Sequence, residues 1–177
     1  MYQIETPNLL LRPFEESDFD AVHAYASDPN ATRYMWWGPN SEVDTRSFIR
    51  RAIEVMRSPK SGENEFAIVE RASSRLLGAC GLNTPGRQSR VFEIGYLLSP
   101  DFWRRGYGSE AVEHLMAFGF DSLDAHRIFA LIDPENRASI ALIEKLGFRL
   151  EGHQKSDTLI RGEWRDTLVY AVLESER

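Results

Sequence analysis

Apolar residues recur along this chain at two spacings, and those spacings divide it into helices and strands. Leu9-Leu10-Leu11 followed by Arg12 reads as a first strand, closed by Pro13. Glu15, Glu16, Ser17 and Asp18 then form an acidic helix start. Phe19, Val22, His23 and Ala26 follow at three- and four-residue intervals, the stripe of a helix with one buried face. Asp28-Pro29-Asn30 ends it. A second helix is carried by Phe48, Ile49, Ala52, Ile53 and Met56, with Arg46, Arg50, Arg51 and Glu54 on its other side, and Ser58-Pro59 breaks the pattern. Residues 66–69, 76–82 and 91–98 then read as three strands. Ser73-Ser74 and Thr84-Pro85-Gly86 separate them, which predicts an antiparallel meander.

Beyond residue 106 the helical period returns in Val112, Leu115, Met116, Gly119, Phe120 and Leu123. Residues 127–132 form the next strand, and a helix from Asn136 to Leu146 stops at Gly147. Residues 148–151 and 167–173 supply two closing strands, joined through Gly162-Glu163-Trp164. The order is one strand, two helices, three strands, then helix, strand, helix, strand, strand. It predicts an α/β (α+β) protein with a mixed, mostly antiparallel sheet of about seven strands and helices on both faces. With no repeat, low-complexity tract or linker, residues 1–177 are expected to form a single domain.

Composition narrows the partners. A formal net charge of -6 lacks the basic face that nucleic acid requires, so no nucleic-acid partner is expected. The start, Met1-Tyr2-Gln3-Ile4-Glu5, lacks a basic stretch followed by an apolar run, and no run approaches about 18 apolar residues, so no membrane partner is expected and the cytoplasm is the predicted compartment. Cys80 is the only cysteine, which rules out an internal disulfide. It lies in an apolar run and reads as a small buried residue. His23, His114, His126 and His153 show no metal-site spacing, so no metal is expected.

The chemistry concentrates in Leu97-Leu98-Ser99-Pro100-Asp101-Phe102-Trp103-Arg104-Arg105-Gly106-Tyr107-Gly108-Ser109-Glu110-Ala111: a strand, a basic glycine turn and a helix start. Glycines let the backbone approach a ligand, unpaired helix N–H groups point at it, and two arginines add charge. These properties suit a diphosphate. A dinucleotide fingerprint would place a third glycine where Ala111 stands, and no Gly-Lys-Ser/Thr triplet serves a nucleoside triphosphate. A later segment, Asp133-Pro134-Glu135-Asn136-Arg137-Ala138-Ser139, continues to Glu144-Lys145-Leu146-Gly147-Phe148. Together the two segments resemble the GNAT N-acetyltransferases, whose cosubstrate loop reads Q/R-x-x-G-x-G/A and whose later motif reads N-x-x-(A/S) followed by E-K-x-G-F. Trp103 stands in place of the first polar residue of that loop. With Ser139 and the ending from Gly162 to Tyr170, this resembles the branch that acetylates ribosomal-protein N-termini.

The resemblance implies acetyl-CoA as cosubstrate, with Arg104, Arg105, Gly106, Tyr107, Gly108 and Ser109 around its pyrophosphate. It implies that the fourth strand, 91–98, splays from the fifth, 127–132, and that the pantetheine arm enters between them. Tyr96 and Leu98 are then candidates for main-chain bonds to it, with the Tyr96 N–H facing the oxyanion of the acyl-transfer intermediate. Asn136 would contact the same arm, and it can also cap its helix. An amine attacks a thioester only when neutral, and pKa values of about 8 to about 10.4 leave it protonated at pH 7, so a base is required. Glu93, a carboxylate within an apolar strand, is the candidate; a wet face or an arginine partner is the competing reading. Many members place a tyrosine acid where Ile143 stands here, and in the ribosomal-type branch a serine at the place of Ser139 serves the leaving thiolate. Ser139 can equally be a plain first-turn residue.

On the acceptor side, Tyr34-Met35-Trp36-Trp37-Gly38-Pro39 offers an aromatic wall, with at least one tryptophan expected in the core. Glu42 and Asp44 offer charge for a cation. The reading is direct transfer of an acetyl group to a primary amine in a ternary complex: a protein N-terminus, or a small amine such as an amino acid, polyamine or antibiotic. A non-catalytic acyl-CoA sensing domain and a nucleotide-binding module are the competing classes. A homodimer is left open.

Overall fold

A computed structural model describes residues 2–57, 62–85 and 90–177. Ser58, Pro59 and Gly86, expected to end the second helix and to turn between strands, lie outside the described residues. Eight strands form one sheet: β1 (Ile4–Glu5), β2 (Leu9–Arg12), β3 (Glu63–Glu70), β4 (Leu76–Asn83), β5 (Val91–Leu98), β6 (Arg127–Ile132), β7 (Arg149–Ile160) and β8 (Glu163–Leu173). Their order is β1-β2-β3-β4-β5-β6-β8-β7, and all neighbours are antiparallel except β5 and β6. The eighth strand is β1, whose two residues are too few to carry an alternation.

Helices α1 (Phe19–Ala26) and α2 (Glu42–Arg57) cover one face, and α3 (Tyr107–Ser122) and α4 (Arg137–Lys145) the other. The alternation within β3 divides the core between them. Phe66 and Ile68 join Val112, Leu115 and Ile143 under α3 and α4, while Ala67 and Val69 join Val22, Tyr25 and Ile49 under α1 and α2. Helix α2 starts six residues before its apolar stripe because Asp44 accepts from the Ser41 N–H (3.0 Å) and hydroxyl (2.6 Å), building an N-terminal cap from polar residues. Helix α3 is fixed from outside as well: Glu110 in its first turn accepts from Asn8 N at 2.7 Å and Asn8 Nδ2 at 2.9 Å, tying it to the start of β2.

The strand β7 runs to Ile160, nine residues past its expected end. Residues 153–157 are exposed on a two-stranded ribbon with β8, where no buried face imposes a pattern. Among the described residues no helix is long and apolar enough to cross a membrane, and no group of three or more His, Cys, Asp or Glu is placed to hold a metal ion.

Candidate active site

The parallel strands β5 and β6 are paired only at Val91↔Arg127, Phe92↔Ile128 and Glu93↔Phe129. Each continues on its outer side, β5 against β4 as far as Leu98↔Gly78 and β6 against β8 as far as Ile132↔Leu168. A wedge therefore opens inside the sheet. Arg90 O accepts from His126 N (2.7 Å) and Arg127 N (3.2 Å) on the β6 side, whereas Ser99 N donates to Leu77 O (2.8 Å) on the β4 side. Main-chain groups alternate sides along a strand, so the even-numbered residues of β5 face the wedge. The N–H and C=O of Tyr96 and the N–H of Leu98 point into it. The Leu98 C=O is engaged, since Trp103 donates its indole N–H to it at 2.8 Å. The tryptophan that departs from the loop motif thus ties the loop to the end of β5.

That loop ends in a ready anion site. Arg104 (φ 60°) and Gly106 (φ 86°) adopt left-handed backbone, and no side chain caps Gly106. The first helical bond is Glu110 N to Gly106 O at 3.1 Å, which leaves the N–H groups of Tyr107, Gly108 and Ser109 without an intrahelical acceptor. A Cβ on Gly108 would stand 3.2 Å from Leu142 Cδ1 and 3.5 Å from Leu98 Cδ1, so the helix end is seated closely between α4 and β5. Arg104 and Arg105 are exposed and, among the described residues, free of ion pairs; Arg105 lies over the Phe102 ring at 5.8 Å and Arg75 over the same ring at 4.8 Å. The Tyr107 phenol donates to Glu70, so this residue offers the site its N–H alone. Unpaired N–H groups and guanidinium charge together suit a phosphate.

Glu93 and Gly95 lie on the other face of β5, toward α1 and α2. Glu93 is half-buried, burial pushes its carboxyl above the ordinary range, and it has no hydrogen-bond or ion-pair partner among the described residues. Nothing stands within 4 Å of a Cβ built on Gly95, so the main chain beside the wedge is bare from that side. The sheet register adds two residues that the sequence did not disclose. Glu65, Gly81 and Gly95 form one cross-strand row, and Glu63, Asn83 and Glu93 the next. The Glu65 side chain folds over Gly81, where a Cβ would lie 2.9 Å from Glu65 Oε2. Strands are about 4.8 Å apart, so this carboxylate sits roughly one strand spacing from Gly95. Burial pushes its carboxyl up, and the Arg51 charge (3.7 Å) and the Asn83 amide (3.4 Å) oppose that shift. The signal was the Glu63/Glu65 alternation leading into Phe66.

Across the wedge on the α3/α4 face, the Tyr96 and Ser139 hydroxyls meet at 2.5 Å. Asn136 accepts from Ser139 N at 3.2 Å and so caps α4. Asn136→Ala is expected to cost about 1 kcal/mol and to lower Tm by roughly 2–4 °C; thermal unfolding checks this, and an unmoved Tm would mean that the cap adds nothing. Ile143 is fully buried in the core.

Around the acceptor side, Trp37 packs against the core while Trp36 is 76% exposed. Arg161, from the β7–β8 turn, donates to Thr32 O (2.9 Å), Arg33 O (3.2 Å) and Gly38 O (3.0 Å), holding the aromatic segment in place. Glu42 lies beside Arg46 at 3.5 Å and Asp44 caps α2, both exposed at the start of that helix, whereas Glu65, beside Arg51, and Glu93 stand in the sheet rows next to Gly95.

A family model described as an acetyltransferase (GNAT) domain matches residues 8–149. The chain is 34% identical over 176 residues to the uncharacterized N-acetyltransferase p20 of Bacillus licheniformis, covering 99% of this chain and 98% of that protein. It is 24% identical to the spermidine N(1)-acetyltransferase of Escherichia coli K12, over 94% of this chain and 86% of the relative. A crystal structure of a GNAT-family acetyltransferase from Bacillus anthracis superposes with a TM-score of 0.89 at 33% identity, covering 99% of this chain and 100% of that one.

Proposed function

The chain belongs to the GNAT acetyltransferase family and is an acetyl-CoA-dependent N-acetyltransferase, and on that premise we propose that its acceptor is a cationic primary amine, in the first place a polyamine. The pyrophosphate of acetyl-CoA lies on the N–H groups of Tyr107, Gly108 and Ser109, with Arg104 and Arg105 beside it. The pantetheine arm fills the β5–β6 wedge, taking main-chain bonds from Tyr96 and Leu98, with Asn136 next to it. The thioester carbonyl meets the Tyr96 N–H, which stabilises the charge that develops on its oxygen. Glu93 accepts the amine proton, directly or through water.

The observation that carries this reading is the bare backbone at Gly95. It gives an amine a path to the wedge from the α1/α2 face, between the carboxylates of Glu93 and Glu65. A molecule with more than one cationic nitrogen suits two flanking carboxylates, and a relative named as a spermidine acetyltransferase supports the choice. A protein N-terminus is the second reading, favoured by the likeness of residues 162–170 to the ribosomal-type branch. CoA release measured with spermidine, spermine, amino acids and short peptides with free N-termini tests both. Turnover on peptides alone would overturn the polyamine reading.

Glu65→Gln is expected to raise the KM for a polyamine by about 10-fold, the loss of roughly 1.4 kcal/mol of charge pairing, while the acetyl-CoA dissociation constant stays put. Equal KM values in the two proteins would remove Glu65 from acceptor recognition. Residues 1–177 act as one catalytic domain, supported by the single continuous sheet. The cytoplasm is the compartment, consistent with a single, free cysteine. A homodimer belongs to the same reading, with exposed Leu131 as apolar surface for a second copy.

A further inference from the structure

The hydroxyls of Tyr96 and Ser139, 43 positions apart in sequence, meet at 2.5 Å where β5 and the first turn of α4 face each other across the wedge. The nearby hydroxyl of Tyr170 is engaged elsewhere, donating to Glu144 Oε1 at 2.9 Å, and Ile143 is wholly buried. We propose that Tyr96 is a positioning residue for the departing thiolate: its phenol donates to Ser139 Oγ, which leaves the serine's own hydrogen free to point at the sulfur. The inference rests on acetyl-CoA occupying the wedge as described above.

Acidity favours the phenol as donor to Ser139 Oγ, and its other acceptor on that residue, the main-chain oxygen, is farther away at 3.4 Å. A phenol is a stronger acid than an alkyl hydroxyl and the better donor of the two. Burial pushes the Tyr96 phenol up to about 12, against the lowering effect of its bond to Ser139, so it keeps its hydrogen at any working pH. Ser139 N is already bonded to Asn136 Oδ1 at 3.2 Å, which fixes the serine backbone. With the phenol donating, Ser139 Oγ has one hydrogen left to give. If the serine donated to the phenol instead, the phenol hydrogen would be the one left over, with the Ser139 main-chain oxygen 3.4 Å away to take it.

In the transfer step the N–C bond forms and the C–S bond breaks, with its electron pair going to sulfur. The amine proton goes to the Glu93 carboxylate. Ser139 supplies a hydrogen bond rather than a proton, so neither hydroxyl has to become an oxyanion. The thiolate leaves as the anion and takes a proton from water, and Glu93 returns its proton to solvent.

A donor aimed at the sulfur also lowers the pKa of the thiol in bound CoA, and this can be measured without an acceptor. The readout is the ultraviolet absorbance of the thiolate, titrated with CoA bound to the whole protein. Burial pushes the Cys80 thiol far up, which keeps it out of the titration. A free thiol titrates at about 8.5, and a hydrogen bond to the charged form is worth about one unit. The bound thiol is expected well below 8.5 in the unaltered protein, about one unit higher in Tyr96→Phe, equally higher in Ser139→Ala, and no higher still in the double variant. A phenol that merely fills space would change CoA affinity or Tm without moving the thiol. An unmoved thiol pKa in Tyr96→Phe, or additive shifts in the double variant, overturns the inference while CoA binding stands. Failure of the unaltered protein to bind CoA overturns the wedge reading itself.

Discussion

Gly106→Val raises the acetyl-CoA dissociation constant by about 100-fold, equivalent to roughly 2.7 kcal/mol, while the protein remains folded. At φ 86° the position holds left-handed backbone, which costs a β-branched residue on the order of 1–3 kcal/mol. The chain relieves that cost by rotating the peptide, and the N–H groups of Tyr107 and Gly108 turn with it. Each hydrogen bond to a charged group contributes roughly 1.5–3 kcal/mol, so misaiming one or two accounts for the expected loss. The added side chain itself meets nothing within 4 Å, so packing is spared and Tm should fall by only a few degrees. Calorimetric titration beside thermal unfolding separates the two effects. Unchanged affinity would mean that the helix start does not hold the diphosphate.

Glu93→Gln is expected to slow turnover by about 100- to 10,000-fold, the usual contribution of a positioned base. Its effect on acetyl-CoA binding should be small. The sign of the pH dependence follows from burial, which raises the Glu93 carboxyl above its ordinary range. The base works only when ionised, so activity falls as pH drops through that raised value. Below it the carboxylic acid cannot accept the amine proton. Substitution by glutamine should remove this acidic limb and leave the limb set by the amine. A variant with the parent's pH–rate profile would take Glu93 out of the mechanism.

Both targets were legible in the sequence because they lie in segments with strong local signals. The strands holding Glu93 and Leu131 were bounded correctly at 91–98 and 127–132, where apolar runs end at turn residues. The Gly106 turn, the Asn136 cap and the Gly147 stop (φ 88°) were read from residue type and place alone. Pattern failed where burial and polarity part company. Thr45 is fully buried through bonds to Ser41 O (3.2 Å) and His23 Nδ1 (3.0 Å), while Val43 two residues earlier is 69% exposed, and so the start of α2 was hidden. Glu65 and Asn83 were invisible as a pair because a cross-strand register joins them, and two polar residues at strand ends look like turn. The Tyr96–Ser139 contact depends on how α4 crosses the sheet, which no local spacing encodes.

The wedge between β5 and β6 gives the sheet unpaired main-chain groups in its interior. Bare edges elsewhere in proteins invite foreign strands and seed aggregation, and rims are commonly shortened or charged against it. Here the protection is geometric. The two walls converge on full pairing at Glu93↔Phe129, so a guest chain can slide in only from the open end and cannot zip along the whole of β5. A thin run of methylenes and amides fits such a slot where a pleated peptide with side chains on both faces does not. The taper therefore guards the sheet against self-association along this seam.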